Sequence, residues 1–241
     1  MHTLSIIIPA YNEEKNIETA VKAAVGAVNI NRDKISDYEI LLFDDGSRDK
    51  TGEIADRLAM ANNHIQVIHN RPNKGFGYNV LRGIEMAKME YTVMTPGDDE
   101  ILHESINNIF SRIGEADIIA AYHEDPKTRS LFRKFTSNLY VHILNLMFGL
   151  KLKYYNGPNL IRTDMLKQNM PTSFGFAYAA EVMVKLLKWR KASLIHVGMK
   201  TKPITVTTAF KPKNIKSVFK AIFNLFITIY FKDFVRKRSE R

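Results

Sequence analysis

Apolar and polar positions follow two periods in turn along the first 125 residues. Short β-branched and aromatic runs, Leu4 to Ile8, Tyr38 to Phe43, Ile65 to His69, Tyr91 to Thr95 and Asp117 to Ala121, read as strands. Between them apolar residues recur at helical spacing, which predicts helices over about Glu13 to Val28, Lys50 to Ala61, Tyr78 to Lys88 and Glu104 to Ile113. Alternation of this kind predicts an α/β fold with a mostly parallel sheet flanked by helices. Ligands of such sheets collect beyond the carboxyl ends of the strands, so the loops after the first four strands are where chemistry is expected.

Beyond residue 125 the pattern changes. Leu131 to Leu150 reads as a helix with apolar residues at 131, 132, 135, 139, 143, 146 and 147 and with Arg129, Arg133 and Lys134 at its start. It suits packing on a core or lying on a membrane. Lys151 to Tyr155, the loop Asn156-Gly157-Pro158-Asn159, a helix from Tyr178 to Arg190 and one or two strands between Ala192 and Thr208 follow. A last helix, about Asn214 to Arg236, carries a stripe of Ile215, Val218, Phe219, Ile222, Phe226, Ile229 and Tyr230, flanked by Lys216, Lys220, Lys232, Arg236, Lys237 and Arg238. Such a stripe with basic flanks is expected of a helix lying on an anionic membrane surface; a homo-oligomer interface or a cap on the core produces it too. The expected division is a domain at 1–210, split near 125, and a basic amphipathic extension at 211–241.

Charge divides the chain in the same place. Residues 1–125 carry 12 Lys/Arg against 21 Asp/Glu, whereas residues 126–241 carry 23 against four. A basic half calls for an anionic partner: phosphate, nucleic acid or a membrane surface. The acidic first half would repel a polyanion, and a Phe-rich last helix suits an interface better than a groove, so no nucleic acid is expected. Without cysteine there is no disulfide or thiolate metal site, and any metal must rest on oxygen or histidine. The first apolar run ends at Pro9 and no run reaches the roughly 18 apolar residues of a membrane span. The expectation is a cytoplasmic protein, peripheral on the cytosolic face of a membrane.

Four polar loops gather at the expected edge: Pro9-Ala10-Tyr11-Asn12-Glu13, Asp44-Asp45-Gly46-Ser47-Arg48-Asp49, Arg71-Pro72-Asn73-Lys74-Gly75-Phe76-Gly77 and Pro96-Gly97-Asp98-Asp99-Glu100. The last puts three carboxylates in a row, the hard ligands that Mg²⁺ or Mn²⁺ prefers, and a cation held there can carry the phosphates of a nucleotide. Acids opening a helix in a solvated turn give the same run.

The segments Ile-Pro-Ala-Tyr-Asn-Glu-Glu at 8–14, Asp-Asp-Gly-Ser-Arg-Asp-Lys-Thr at 44–51 and Asn-Lys-Gly-Phe-Gly at 73–77 followed by Arg82-Gly83-Ile84 resemble the family 2 glycosyltransferases of the GT-A fold. The resemblance runs over roughly residues 4–210 and is strongest to the dolichol- or polyprenyl-phosphate hexosyltransferase branch. It implies that Pro9, Tyr11 and Glu13 line the ribose and base of a nucleotide sugar, that Asp44 contacts the base, and that Asp45 and Gly46 complete that wall. Lys74 would face the diphosphate or solvent; Gly75 would let backbone approach the ligand or serve a turn.

At the metal motif the chain departs from that family, with Pro96 where the first acid is usual. If the segment is extended, Asp98 and Glu100 share a face as metal ligands and Asp99 points away as a substitute. Asp98 is then the catalytic carboxylate. Ala120-Ala121-Tyr122 stands where relatives often carry Gly-Ser-Arg-Tyr, which leaves Arg129 and Arg133 to meet an acceptor phosphate. The resemblance implies inverting transfer of a hexose from a UDP- or GDP-linked sugar to a polyprenyl phosphate. The alternatives are transfer to a sugar hydroxyl, with Glu181 as general base, and a degenerate nucleotide-sugar-binding module.

Overall fold

A computed structural model describes residues 1–124, 131–172, 177–203 and 212–232, without the side chains of 131–133, 212–219 and 232. Seven strands, β1 (His2–Ala10), β2 (Ile35–Asp44), β3 (Ile65–His69), β4 (Tyr91–Met94), β5 (Ile118–His123), β6 (Leu160–Arg162) and β7 (Leu194–Met199), form one sheet in the order β3-β2-β1-β4-β6-β5-β7. Every neighbouring pair is parallel except those of β6, which runs antiparallel to both β4 and β5. The mostly parallel α/β sheet expected from the sequence is therefore present.

Alternation along β1 sets the two layers. Leu4, Ile6, Ile8 and Ala10 point to a cluster with Ile17, Val21 and Ala24 of α1 (Ile17–Ile30), Ala55 of α2 (Thr51–Ala61) and Ile106 and Phe110 of α4 (His103–Phe110). Ile7 points the other way, to Val80 and Ile84 of α3 (Phe76–Met86), Leu144 and Phe148 of α5 (Leu131–Phe148), Leu166 of α6 (Thr163–Gln168) and Met183 and Leu186 of α7 (Tyr178–Trp189). A strand buried on both faces needs a continuous apolar run, and Leu4 to Ile8 supplies one apart from Ser5. Ser5 is fully buried because its hydroxyl donates to Glu39 at 2.7 Å and accepts from the Met89 N–H at 3.1 Å.

Strand β1 runs past the predicted end at Ile8 and takes in Pro9. The Gly97 N–H donates to the Pro9 carbonyl at 3.2 Å, on the side where β4 has already ended, so the donor that proline lacks is not called for. Two elements were not foreseen, the three-residue β6 and the short α6.

The C-terminal helix α8 (Pro212–Ile227) widens into a π-helical turn at Thr228–Lys232, and several positions of the apolar stripe take the core-capping alternative. Ile229 is buried, Ile222 and Phe226 pack against the same core cluster as Phe148, and the Tyr230 hydroxyl donates to the Met147 carbonyl at 2.8 Å. Ile222, Phe226 and Ile229 face the core; among the described side chains, Phe223, Tyr230 and Phe231 of this segment and Phe135, Leu139, Ile143 and Leu146 of α5 are exposed. No helix among the described residues is long and apolar enough to cross a membrane.

Candidate active site

Strand register brings the four loops into one row. Ala10 pairs with Asp44 and Asp44 with His69, while Gly97 bonds back to Pro9 beyond β4. The first two loops are stitched to each other: the Asn12 N–H donates to Ser47 Oγ at 3.0 Å, Glu13 N–H to Thr51 Oγ1 at 2.7 Å and Glu14 N–H to Asp49 at 3.1 Å. In return Arg48 N–H donates to Asn12 at 2.9 Å and Lys50 N–H to Glu14 at 3.1 Å. Glu13 thus stands in the turn before α1, where its carbonyl accepts from Ile17 N–H at 2.9 Å. Tyr11 is exposed beside it and Pro9 is buried.

Asp44 is 1% exposed, and both its oxygens are engaged: Oδ1 accepts from Ser47 N–H at 3.0 Å, Oδ2 from His69 Nδ1 at 2.9 Å and from Arg71 at 3.2 Å. Burial pushes this carboxyl up, but the hydrogen bonds from Ser47, His69 and Arg71 outweigh it and hold the group below the usual range. Asp44 is therefore a buried anion held directly beneath the exposed guanidinium of Arg71, at the end of β2. Neither His69 nor Arg71 was singled out in the sequence. Arg71 lay inside a loop already under suspicion, whereas the partnership of His69 with Asp44 depends on the β2–β3 register.

Asp45 is a different part. Its Oδ1 accepts from Asn70 at 2.9 Å and Lys74 N–H at 2.8 Å, and its Oδ2 from Gly75 N–H at 2.8 Å. The carboxylate expected to line the nucleotide ties the third loop to the second and shapes the entrance to α3. Gly75, at φ +91°, serves that turn, and Gly46, at φ +73°, lies so close to the same loop that a Cβ would come 3.0 Å from the Asn73 nitrogen. Lys74 is exposed at the rim.

The acid run after β4 is not extended. Residues 97 and 98 form a turn and Asp99 has φ +54°, so side-chain alternation does not apply. Asp99 is buried, ion-paired with Lys202 and within 3.1 Å of His103 Nε2, which commits it to holding the 200–203 segment. Asp98 makes no ion pair among the described residues. Burial, with the charge of Asp99 added, pushes its carboxyl up, while the Glu100 N–H at 3.1 Å opposes the shift. Glu13 is also raised, first by burial and then by the charges of Asp98 and Asp49. Two desolvated carboxylates that repel one another fit a cation between themselves and an anionic ligand.

Among the described residues no three His, Asp or Glu side chains converge as a ready-made cage. The fit is therefore to an ion that takes one or two protein carboxylates, Asp98 with Glu100 beside it, and completes its shell with phosphate and water, as Mg²⁺ does.

Glu181, at the start of α7, is buried and ion-paired with Lys185 at 2.7 Å, and also accepts from the Thr172 N–H and hydroxyl. Arg129 lies outside the described residues, and Arg133 lies in α5 with its side chain outside them.

The family model described as Glycosyl transferase family 2 matches residues 5–179, and the chain belongs to that family. It is 31% identical over 114 residues to the glycosyltransferase GlyG of Streptococcus pneumoniae, covering 47% of this chain and 36% of that protein. It is 28% identical over 156 residues to the dolichyl-phosphate beta-glucosyltransferase ALG5A of Trichomonas vaginalis, covering 61% and 48%. The chain thus spans a third to a half of the length of these curated relatives. In fold it is similar to glucosyl-3-phosphoglycerate synthase from Mycobacterium tuberculosis in complex with Mn²⁺, uridine diphosphate and phosphoglyceric acid, with TM-score 0.67 at 14% identity over 93% of this chain and 78% of that one. The GT-A class expected from the motifs is thereby shown.

Proposed function

We propose that this chain is a metal-dependent inverting glycosyltransferase that takes a hexose from a nucleotide diphosphate sugar to a polyprenyl phosphate at the cytosolic face of a membrane. The observation that carries the donor side is the row formed by Glu13, Asp44 with Arg71, and Asp98 across the ends of four neighbouring parallel strands. Asp44 and Arg71 address the base, Glu13 the ribose, and Asp98 the diphosphate end. UDP is favoured over GDP because nothing in these loops selects guanine. A Mg²⁺ or Mn²⁺ ion held by Asp98 and Glu100 would supply neutralisation of charge on the departing nucleoside diphosphate.

The acceptor reading draws on relatives named as dolichyl-phosphate and undecaprenyl-phosphate transferases. A phosphate monoester has its second pKa near about 6, so its oxygen is already anionic at neutral pH and attacks the sugar carbon as the bond to the diphosphate breaks. No protein base is needed, in keeping with a Glu181 that is locked in an ion pair. The exposed apolar side chains of α5 and α8 supply a surface for the lipid phase.

Thermal shift with UDP- and GDP-sugars in the presence of Mg²⁺ or Mn²⁺ tests the donor, and transfer of labelled hexose to a polyprenyl phosphate tests the acceptor. Stabilisation by one nucleotude family and product formation on the lipid are expected; absence of both overturns the reading. Phe223→Ser with Phe231→Ser is expected to weaken flotation on anionic liposomes, and unchanged flotation counts against the membrane surface.

A further inference from the structure

We propose that His69 is a positioning residue for nucleotide binding: as an imidazolium clamped between Asp44 and Asp56, it fixes the Asp44 carboxylate at the base-recognition edge. This rests on the nucleotide-site reading given above.

The clamp is built from three elements. Register places His69 at the end of β3 directly beside Asp44 at the end of β2. Its Nδ1 lies 2.9 Å from Asp44 Oδ2, and its Nε2 lies 3.0 Å from Asp56 Oδ1 on α2. A neutral imidazole has one N–H and one lone pair, so with carboxylates on both nitrogens one contact would set lone pair against lone pair. The imidazolium donates to both.

Helix α2 leaves room for this arrangement at Gly52, where a Cβ would fall 2.9 Å from Asp44 Oδ2 and 3.4 Å from His69 Cε1. The charged groups around the ring are Asp44 from β2, Asp56 from α2 and, sharing Asp44 Oδ2, Arg71 from the loop after β3.

The electrostatics agree in direction. The hydrogen bond donated to Asp44, and after it the bond to Asp56 and the charge of Asp56, hold the His69 pKa above its usual 6.5 against the opposing effect of burial. A raised histidine contributes in full below the ordinary value and loses that contribution as pH rises through its own, higher pKa. Above that range Asp44 keeps Arg71 but loses its second cationic partner, and the carboxylate is held less firmly. Nucleotide affinity is then coupled to the charge on a side chain that stands behind Asp44.

The test uses the full chain and isothermal titration calorimetry with UDP and with GDP between about pH 6 and about pH 9. In the wild type the affinity is expected to be constant at the acid end and to fall roughly tenfold as His69 loses its proton, the worth of one charge-assisted hydrogen bond. His69→Gln, which cannot titrate, is expected to bind weakly at every pH with a flat profile, and to raise KM for the donor while leaving kcat at saturation nearly unchanged. Asp56→Asn, a milder change at an exposed carboxylate, is expected to move the inflection to lower pH.

The His69 imidazole signal in NMR of the wild type and of Asp56→Asn gives the same inflection without nucleotide, and the amide spectrum of His69→Gln shows directly whether that variant remains folded. A His69→Gln profile that keeps the wild-type inflection overturns the assignment of His69 while leaving the nucleotide site intact. A wild-type chain that binds neither nucleotide at any pH overturns both.

Discussion

The Glu181 carboxylate and the Lys185 ammonium lie 2.7 Å apart on successive turns of α7, both buried, and Lys185 also donates to the Met170 carbonyl at 2.9 Å. A carboxylate tied to a buried cation and to Thr172 holds the 170–172 segment against α7, and such a group is poorly placed to collect a proton. Glu181→Gln leaves Lys185 buried without its counter-charge and is expected to cost about 3 kcal/mol or more, read as a fall in Tm of roughly 10 °C. Donor binding should survive in the folded fraction. A variant with unchanged Tm and transfer reduced by about 100-fold would instead make Glu181 the base and a hydroxyl the acceptor.

Asp98→Asn separates stability from activity. The substitution removes a desolvated charge that has no ion-pair partner among the described residues, so Tm is expected to hold or rise. Transfer, and the extra thermal shift that Mn²⁺ adds to a nucleotide, are expected to drop by about two orders of magnitude or more. Wild-type turnover in the variant would leave Pro96-Gly97-Asp98 as a turn and nothing else.

Asp44 sets an acid limit on folding. Its folded pKa lies below the ordinary value of 3.8, so its contribution is fully present above that value and disappears as pH falls through the lower, folded pKa. Urea unfolding of Asp44→Asn is expected to show a deficit of about 1–3 kcal/mol at neutral pH that closes at the acid end. A deficit that stays constant down the whole range would assign it to neutral contacts.

Asp45→Ala is expected to release the third loop. Three donors, Asn70, Lys74 N–H and Gly75 N–H, lose their acceptor at once, at a cost of about 2–4 kcal/mol. Limited proteolysis should then cut between residues 71 and 76, and nucleotide affinity should fall as the loop loses its shape. Resistance to cleavage equal to the wild type would count against this role.

Much of the fold was legible because its strands announce themselves. Ile65 to His69 is bounded as read from the sequence, and α2 differs by one residue from its expected span. The three residues of β6 are too few to show any period, and they pair with residues 67–71 and 41–43 positions earlier. The four loops were legible as a site, but not the division of labour among their acids. Of the adjacent pair Asp44 and Asp45, one takes His69 and Arg71 as partners and the other staples a loop, and their identical chemistry gives no hint of which is which. Asp99 was read through an extended backbone that its φ of +54° does not allow. The apolar stripe of the last helix could have met lipid, a second chain or the core, and only packing against Phe148 decides that Phe226 faces inward.

Strand β6 joins β4 through three residue pairs and β5 through two, whereas β1 and β2 run together along nine. The sheet is thus broad at both sides and narrow in its middle, like two boards joined by a strip. Amide exchange should find that strip the first part of the sheet to open, ahead of the strands that carry Asp44 and His69. A break line in that place allows the two boards to be refitted independently: the side built on β5 and β7 can be rebuilt while the side that carries Asp44 and His69 keeps its register.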